Sequence, residues 1–171
     1  MLKYVNTEIT FSEVPDEITL CINISNCPCH CKGCHSPYLA EDIGEELSRD
    51  SLINLIRRNE GITCVCFMGG DSNPADINYL ARLIKLLSWS KLKVAWYSGR
   101  SWLPPEIYLP WFDYIKLGQY IEELGPLNKP TTNQRFYKIK DISSEEESRC
   151  IMEDNTYLFW HDFGKTTCRY D

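Results

Sequence analysis

The sequence predicts an α/β fold, a mostly parallel sheet with flanking helices. Short apolar segments rich in β-branched residues alternate with longer segments of helical period, the pattern of successive βαβ units. The segment 62–68 (ITCVCFM) is apolar without alternation, as a strand covered on both faces must be. Polar and glycine-bearing signals fall directly after the strand-like segments, the edge at which parallel sheets bind ligands. With 171 residues, 43% of them hydrophobic, the chain is long enough to close the core of one domain.

The elements follow in order. Residues 18–24 (ITLCINI) read as a buried strand that runs straight into Ser25-Asn26-Cys27. Ser48 caps a helix whose apolar side carries Leu52, Ile53, Leu55 and Ile56. The strand 62–68 ends at Gly69-Gly70-Asp71. Asn73 then caps the clearest helix, with Pro74 at its first position and Asp76 in its first turn. Ile77, Leu80, Ala81, Ile84 and Leu87 give that helix one apolar face. Residues 92–97 (LKVAWY) form a third strand closed by Ser98-Gly99, and Pro104-Pro105 marks a loop. Residues 114–117 (YIKL) form a fourth strand ending at Gly118, and 135–139 a fifth with weak alternation. There is no internal repeat. Residues 1–140 are read as one domain, and 141–171 as an acidic linker (DISSEEE) followed by a tail of unknown role that contains Trp160, Phe163 and Tyr170.

The formal charge of -6, from 24 acids and 18 bases, argues against nucleic-acid or anionic-membrane binding, which needs clustered Lys and Arg. No apolar run is long enough for a transmembrane helix, and Met1-Leu2-Lys3-Tyr4 opens no signal-like segment. The expectation is a cytoplasmic protein. Nine cysteines in a reducing compartment point to metal binding or catalysis before disulfides.

Three of them, Cys27, Cys31 and Cys34, are spaced Cys-x3-Cys-x2-Cys. Three thiolates in one short loop can hold an iron–sulfur cube and leave its fourth iron without a protein ligand. The competing reading is a zinc site that also takes Cys29 or a histidine. Zinc sites usually draw two ligand pairs from separate loops, and no second pair stands at matching spacing. Cys29 is assigned no role. Cys21, Cys64 and Cys66 read as small packing residues. Cys150 and Cys168 carry no legible role, nor do His30, His35 and His161. Two glycines before Asp71 let backbone approach a ligand closely; a plain turn before a helix cap is the simpler alternative.

The cysteine loop, with Gly69-Gly70-Asp71 beside it, resembles that of the radical S-adenosylmethionine (SAM) enzymes. Within that superfamily the chain is similar to the activating proteins of anaerobic (class III) ribonucleoside-triphosphate reductase. Cys31-Lys32-Gly33-Cys34 is similar to their Cys-Pro-Gly-Cys, and Gly69-Gly70-Asp71 to their Gly-Gly-Asp. Trp96-Tyr97-Ser98-Gly99 resembles their Trp-Thr-Gly. Thr131-Thr132-Asn133-Gln134-Arg135 resembles their Ser-Ser-Asn-Gln-Arg, a segment that radical SAM enzymes in general do not share. The resemblance covers roughly residues 18–137. Lys116-Leu117-Gly118 departs where the family often has an aspartate before the glycine, and Pro130 stands where a glycine is expected.

The resemblance implies a partial (β/α) barrel of the radical SAM type and a 4Fe–4S cluster on Cys27, Cys31 and Cys34. It implies SAM bound near Gly69, Gly70, Asp71 and Ser98, and Asn133, Gln134 and Arg135 facing the partner or the SAM pocket. It further implies a reduced flavodoxin-like electron donor and, as partner, the glycyl radical subunit of the reductase. The activity implied is abstraction of a hydrogen atom from a glycine Cα of that subunit, with SAM cleaved to methionine and 5′-deoxyadenosine. The alternatives are another glycyl-radical activase, of the pyruvate formate-lyase activating type, a radical SAM enzyme with a small-molecule substrate, or a non-enzymatic iron–sulfur or zinc module.

Overall fold

The computed structural model describes residues 1–87, 91–143 and 148–160. Its strands are β1 (Lys3–Thr10), β2 (Thr19–Ile24), β3 (Glu45–Glu46), β4 (Cys64–Met68), β5 (Lys93–Tyr97), β6 (Tyr114–Leu117), β7 (Arg135–Ser143) and β8 (Ser148–Asp154). Its two α-helices are α1 (Arg49–Arg58) and α2 (Pro74–Leu86). All eight strands join one sheet in the order β3-β1-β2-β4-β5-β6-β7-β8.

The mostly parallel, helix-flanked barrel expected from the sequence does not form. Parallel pairing is confined to β2–β4, β4–β5 and β5–β6. The pairings β1–β2, β1–β3, β6–β7 and β7–β8 are antiparallel, so the sheet is mixed. The connections explain this. A parallel neighbour needs a long crossover, usually a helix, and α1 and α2 supply that only ahead of β4 and β5. After β5 the crossover to β6 is long enough to keep β6 parallel without a helix: Pro104, Pro105 and Pro110 interrupt helix formation, and the chain makes a single 3-10 turn at Leu109–Trp111. After β6, a loop holding Gly125, Pro126 and Pro130 turns the chain back, and β7 runs antiparallel. At the other side the short link from Thr10 to Thr19 permits only an antiparallel neighbour for β2.

Both helix starts follow the sequence. The Ser48 side chain accepts from Ser51 N–H at 3.2 Å, and Asn73 Oδ1 accepts from Asp76 N–H at 3.2 Å. Leu52 and Ile56 of α1 and Ile77, Leu80, Ala81 and Ile84 of α2 are buried against one sheet face. The alternate residues of the same strands, among them Cys21, Cys64, Cys66, Ala95 and Tyr97, face the other side with Val14 and Phe136. Burial pushes the Cys64 and Cys66 thiols up, which keeps them protonated and suits packing residues.

At the N-terminal edge of the parallel strands, Glu17 is 5% exposed. It pairs with the Lys93 ammonium and accepts from Thr63 Oγ1 (2.7 Å) and Tyr114 OH (3.0 Å). At the far end, β7 runs through residue 140 to Ser143 and pairs with β8, so the expected domain boundary falls within a strand. Residues 144–147 of the acidic segment lie outside the described residues, as do His161, Phe163, Cys168 and Tyr170 of the tail. Trp160 is described and 38% exposed. Among the described residues no helix is long and apolar enough to cross a membrane.

Candidate metal and cofactor site

Three adjacent parallel strands deliver their following residues to one edge of the sheet. The segment after β2 is the cysteine loop. It leaves the strand through Ser25, whose hydroxyl donates to Ile43 O at 2.6 Å, and through Asn26 at φ 57°. Asn26 N–H donates to Glu41 O and Cys27 N–H to Leu39 O, both at 2.9 Å, tying the loop to the chain that returns beneath it. Further on, Cys34 N–H donates to Cys31 O (3.2 Å), and the Cys34 sulfur accepts Ser36 N–H at 3.4 Å. His35 rests on Tyr120 with ring centroids 5.5 Å apart.

The segment after β4 is Gly69-Gly70-Asp71. At Gly70, φ is 86° and a Cβ would stand 2.5 Å from Ile77 Cδ1, so only glycine lets α2 pack this close to the turn. The turn delivers Asp71, 1% exposed, beneath the cysteine loop. The segment after β5 supplies its donors. Ser98 Oγ–H donates to Asp71 Oδ1 at 2.5 Å, and Gly99 N–H to Asp71 Oδ2 at 3.0 Å. The Cys29 thiol reaches Asp71 Oδ2 at 3.9 Å. Arg100 Nε lies 3.6 Å from Asp71 Oδ1, and its Nη2 donates to Asp71 O at 2.7 Å. Ser98 and Asp71 are thus joined as a buried hydrogen-bonded pair.

Cys29, given no role in the sequence, is a loop residue whose thiol lies against this group. A Cβ on Gly99 would meet its Sγ at 2.5 Å, so the glycine makes room for the thiol. Its carbonyl accepts from Gln119 Nε2 at 3.3 Å. The neighbouring Cys29 thiol lowers the Cys27 pKa to about 6. The neighbouring Cys27, together with burial and the Asp71 charge, pushes Cys29 up. Cys27 is therefore biased to thiolate and Cys29 to thiol. The ligating atoms of Cys27, Cys29 and Asp71 all lie within 4.8 Å of one another.

Asn133 and Gln134 brace the turn after β6 that holds the loop. Asn133 Nδ2 donates to Gln119 O (3.0 Å), and Gln134 Nε2 to Gly118 O (3.3 Å). Arg135 closes its own turn, donating from Nη1 to Thr132 O and Gln134 O at 2.8 Å. Asn133 and Arg135 also line a cavity of about 160 Å³ with Leu117 and Tyr137. That cavity lies toward the helix-covered core to which Leu117 belongs.

Lys116 was legible only as a departure from a motif. It is half-buried in β6, and its Nζ donates to Gly118 O at 2.9 Å and lies 6.0 Å from the Tyr97 ring centroid. Burial lowers its pKa to about 8, opposed by the charges of Asp71, Cys31, Cys29 and Glu13. A charged residue inside a four-residue strand was the sequence signal for it.

Among the described residues, the predicted trio Cys27, Cys31 and Cys34 does not form a group whose ligating atoms all lie within 4.8 Å of one another; Cys27 makes such a group with Cys29 and Asp71 instead. Cys27, Cys31 and Cys34 are free, the first two half-buried and the third exposed. The Cys34 sulfur accepts a backbone N–H. The close trio of Cys27, Cys29 and Asp71 offers a second donor set, for one small ion. No known protein family, curated protein or solved structure matches the chain.

Proposed function

We propose that this chain uses a 4Fe–4S cluster on Cys27, Cys31 and Cys34, together with SAM, to generate a glycyl radical on anaerobic ribonucleoside-triphosphate reductase. The observation that carries this is the seating of the cysteine loop on the Asp71–Ser98–Gly99 group, with Cys29 Sγ 3.9 Å from Asp71 Oδ2. Thiolate ligands and the turn thought to receive SAM share one edge. The proposal rests on that edge and on the resemblance of its segments, not on a barrel.

When bound, the cluster would supply one electron, delivered by a reduced flavodoxin-like donor, for cleavage of SAM to methionine with transfer of a glycine Cα hydrogen to the 5′-deoxyadenosyl group. The chain's own residues position the reactants. Ser98 and Gly99 hold the Asp71 carboxylate in place. The Cys29 thiol is the longest of its contacts, and the one that the ammonium group of SAM would replace. Asn133 and Gln134 keep the 118–119 turn under the cysteine loop.

Anaerobic reconstitution with iron and sulfide, followed by electron paramagnetic resonance with and without SAM, tests this. A cluster signal that changes on adding SAM, 5′-deoxyadenosine as product, and a glycyl radical on the reductase subunit are expected. A radical formed on pyruvate formate-lyase instead would reassign the partner. A cluster that ignores SAM would end the enzymatic reading.

The mutual proximity of Cys27, Cys29 and Asp71 favours one second reading, a single zinc-like ion without catalysis. Stoichiometric zinc after aerobic purification, with no iron–sulfur absorbance after reconstitution, would establish it.

A further inference from the structure

Two sulfurs meet in the loop after β2. Cys27 Sγ and Cys29 Sγ lie within 4.8 Å of each other and of an Asp71 carboxylate oxygen. Pro28 stands between them, and a turn at residues 28–29 folds the short segment back. Gly99 leaves the space that Cys29 Sγ occupies. Both cysteines are free and half-buried, open in part to solvent, whereas Cys21, Cys64 and Cys66 are closed off in the core. Both stand beyond the end of β2, so drawing their sulfurs together to the about 2 Å of a disulfide breaks no ladder bond between strands. It does not orphan Asp71 either. Asp71 Oδ1 keeps the Ser98 hydroxyl and Oδ2 keeps Gly99 N–H, and the contact given up is the long one, to the Cys29 thiol at 3.9 Å.

We propose that Cys27 and Cys29 form a reversible disulfide when hydrogen peroxide meets the metal-free chain, and that this bond withdraws Cys27 from metal binding. The Cys27 sulfur gives its proton to water and attacks one peroxide oxygen. The O–O bond breaks, leaving a sulfenic acid on Cys27 and a hydroxide that takes a proton to become water. The Cys29 sulfur then attacks the sulfenic sulfur; the S–O bond breaks, and the oxygen leaves as water with the Cys29 proton. The two thiols are oxidised to one disulfide, and one peroxide is reduced to two waters. A thiol reductant reverses the bond by exchange. Metals take thiolates, so the joined pair offers neither sulfur to a cluster or to a single ion. The bond depends on neither metal reading; its consequence rests on Cys27 as a ligand, which both readings share. Cys29 thereby holds Cys27 in a recoverable form, where an unpartnered thiol climbs on to sulfinic and sulfonic acids that thiols do not reduce.

The test exposes the full chain, freed of metal by a chelator, to hydrogen peroxide, alkylates the remaining thiols under denaturing conditions and maps the peptides by mass spectrometry. The expected product is a Cys27–Cys29 cross-link, with Cys21 and Cys31 alkylated, that disappears on adding dithiothreitol. The oxidised chain should lose its uptake of metal, read as bound iron or zinc under anaerobic conditions without a thiol, and regain it after reduction. Cys29→Ser should lose metal uptake after the same treatment and fail to regain it, because its Cys27 has no neighbour to trap the sulfenic acid. Cys27 and Cys29 both still alkylated after peroxide, or a Cys31–Cys34 bond in place of theirs, would overturn the proposal and leave the metal readings standing. Full recovery of Cys29→Ser would likewise overturn it. A Cys27–Cys29 bond with undiminished metal uptake would overturn the withdrawal of Cys27 and, with it, the place of Cys27 in either metal site.

Discussion

Replacing Glu17 by Gln changes one atom in a network remote from the candidate site, and its cost can be worked from the contacts. Glu17 is 5% exposed and accepts from Lys93, Thr63 and Tyr114. The amide keeps an oxygen for Lys93 and Tyr114. Its new NH₂ faces Thr63 Oγ1, which already accepts Ile18 N–H at 2.8 Å and has a second lone pair. Little is therefore orphaned, and the loss is chiefly the charge. A hydrogen bond to a charged group contributes about 1.5–3 kcal/mol against about 1 for a neutral one. The Lys93 side chain is 44% exposed, so water screens part of that difference. The expected loss at neutral pH is about 1–2 kcal/mol, or roughly 2–8 °C in Tm for a chain of this length.

The pH dependence of that loss has a definite sign. Burial alone would raise the Glu17 pKa, but the bonds from Lys93, Thr63 and Tyr114 outweigh it and hold it below the ordinary value. Its stabilisation is thus present above the unfolded carboxyl pKa and is lost as pH falls through the folded one. Lys93 is raised, first by its bond to Glu17, and its contribution is lost only in strong alkali, as pH climbs past the ordinary lysine value to its folded one. Urea unfolding of wild type and Glu17→Gln across pH 7 to 3 checks this. The gap between them should narrow toward acid as the wild-type carboxyl becomes neutral. A gap of constant size would show that shape, not charge, accounts for the difference.

The site gives three further tests. Cys31→Ala should fold but form no 5′-deoxyadenosine after anaerobic reconstitution; undiminished product would remove Cys31 from the ligand set. Cys29→Ala separates the two metal readings by metal analysis: a cluster on Cys27, Cys31 and Cys34 keeps its iron, whereas an ion held by Cys27, Cys29 and Asp71 is lost. Gly99→Ala sets a methyl 2.5 Å from Cys29 Sγ and should cost about 1–3 kcal/mol by overpacking, read by urea unfolding; Cys29→Ala in the same chain should recover part of it, and no recovery would mean that the clash lies elsewhere.

The parallel centre was legible because its residues carry strong local signals. The strand 114–117 was read with its observed ends, and the Ser48 and Asn73 caps lie where the polar residues precede apolar periodicity. β1 was missed because KYVNTEIT buries none of its residues fully, so its alternation never shows as a clean apolar row. β8 (SRCIMED) extends the sheet where the sequence suggested a tail of unknown role; its residues 150–153 are half-buried and 154 is exposed, so no clean apolar row marks that stretch. The fold class failed for a different reason. Strand order and direction depend on what the connections permit, and the prolines of 104–110 and the 118–134 loop speak about direction only once the neighbouring strands are known. At the site, Cys29 and Lys116 were hidden because their roles are set by neighbours distant in sequence. The thiol of Cys29 needs the space left by Gly99, and the cation of Lys116 is defined by Asp71 and the cysteine loop.

A site of this kind does not need a closed ring of parallel strands. Each parallel strand ends on the same side of the sheet, so every added one sends another segment to the same edge; an antiparallel strand sends its segment to the opposite edge. β2, β4, β5 and β6 are parallel, and the 27–34 loop, Asp71, Ser98-Gly99 and Gly118-Gln119 are the four segments that follow them. The hydrogen bonds Gly99 N–H to Asp71, Gln119 to Cys29 O and Asn133 to Gln119 O link those segments laterally. The antiparallel β7 begins at this edge instead of ending there, which is how residues 133 and 134 come to brace it. Asn133→Ala should therefore loosen the cysteine loop through Gln119 although it touches no cysteine, giving faster amide exchange over residues 27–34 with the parallel core unchanged. Exchange that stayed unaltered in the loop would break this lateral chain of support.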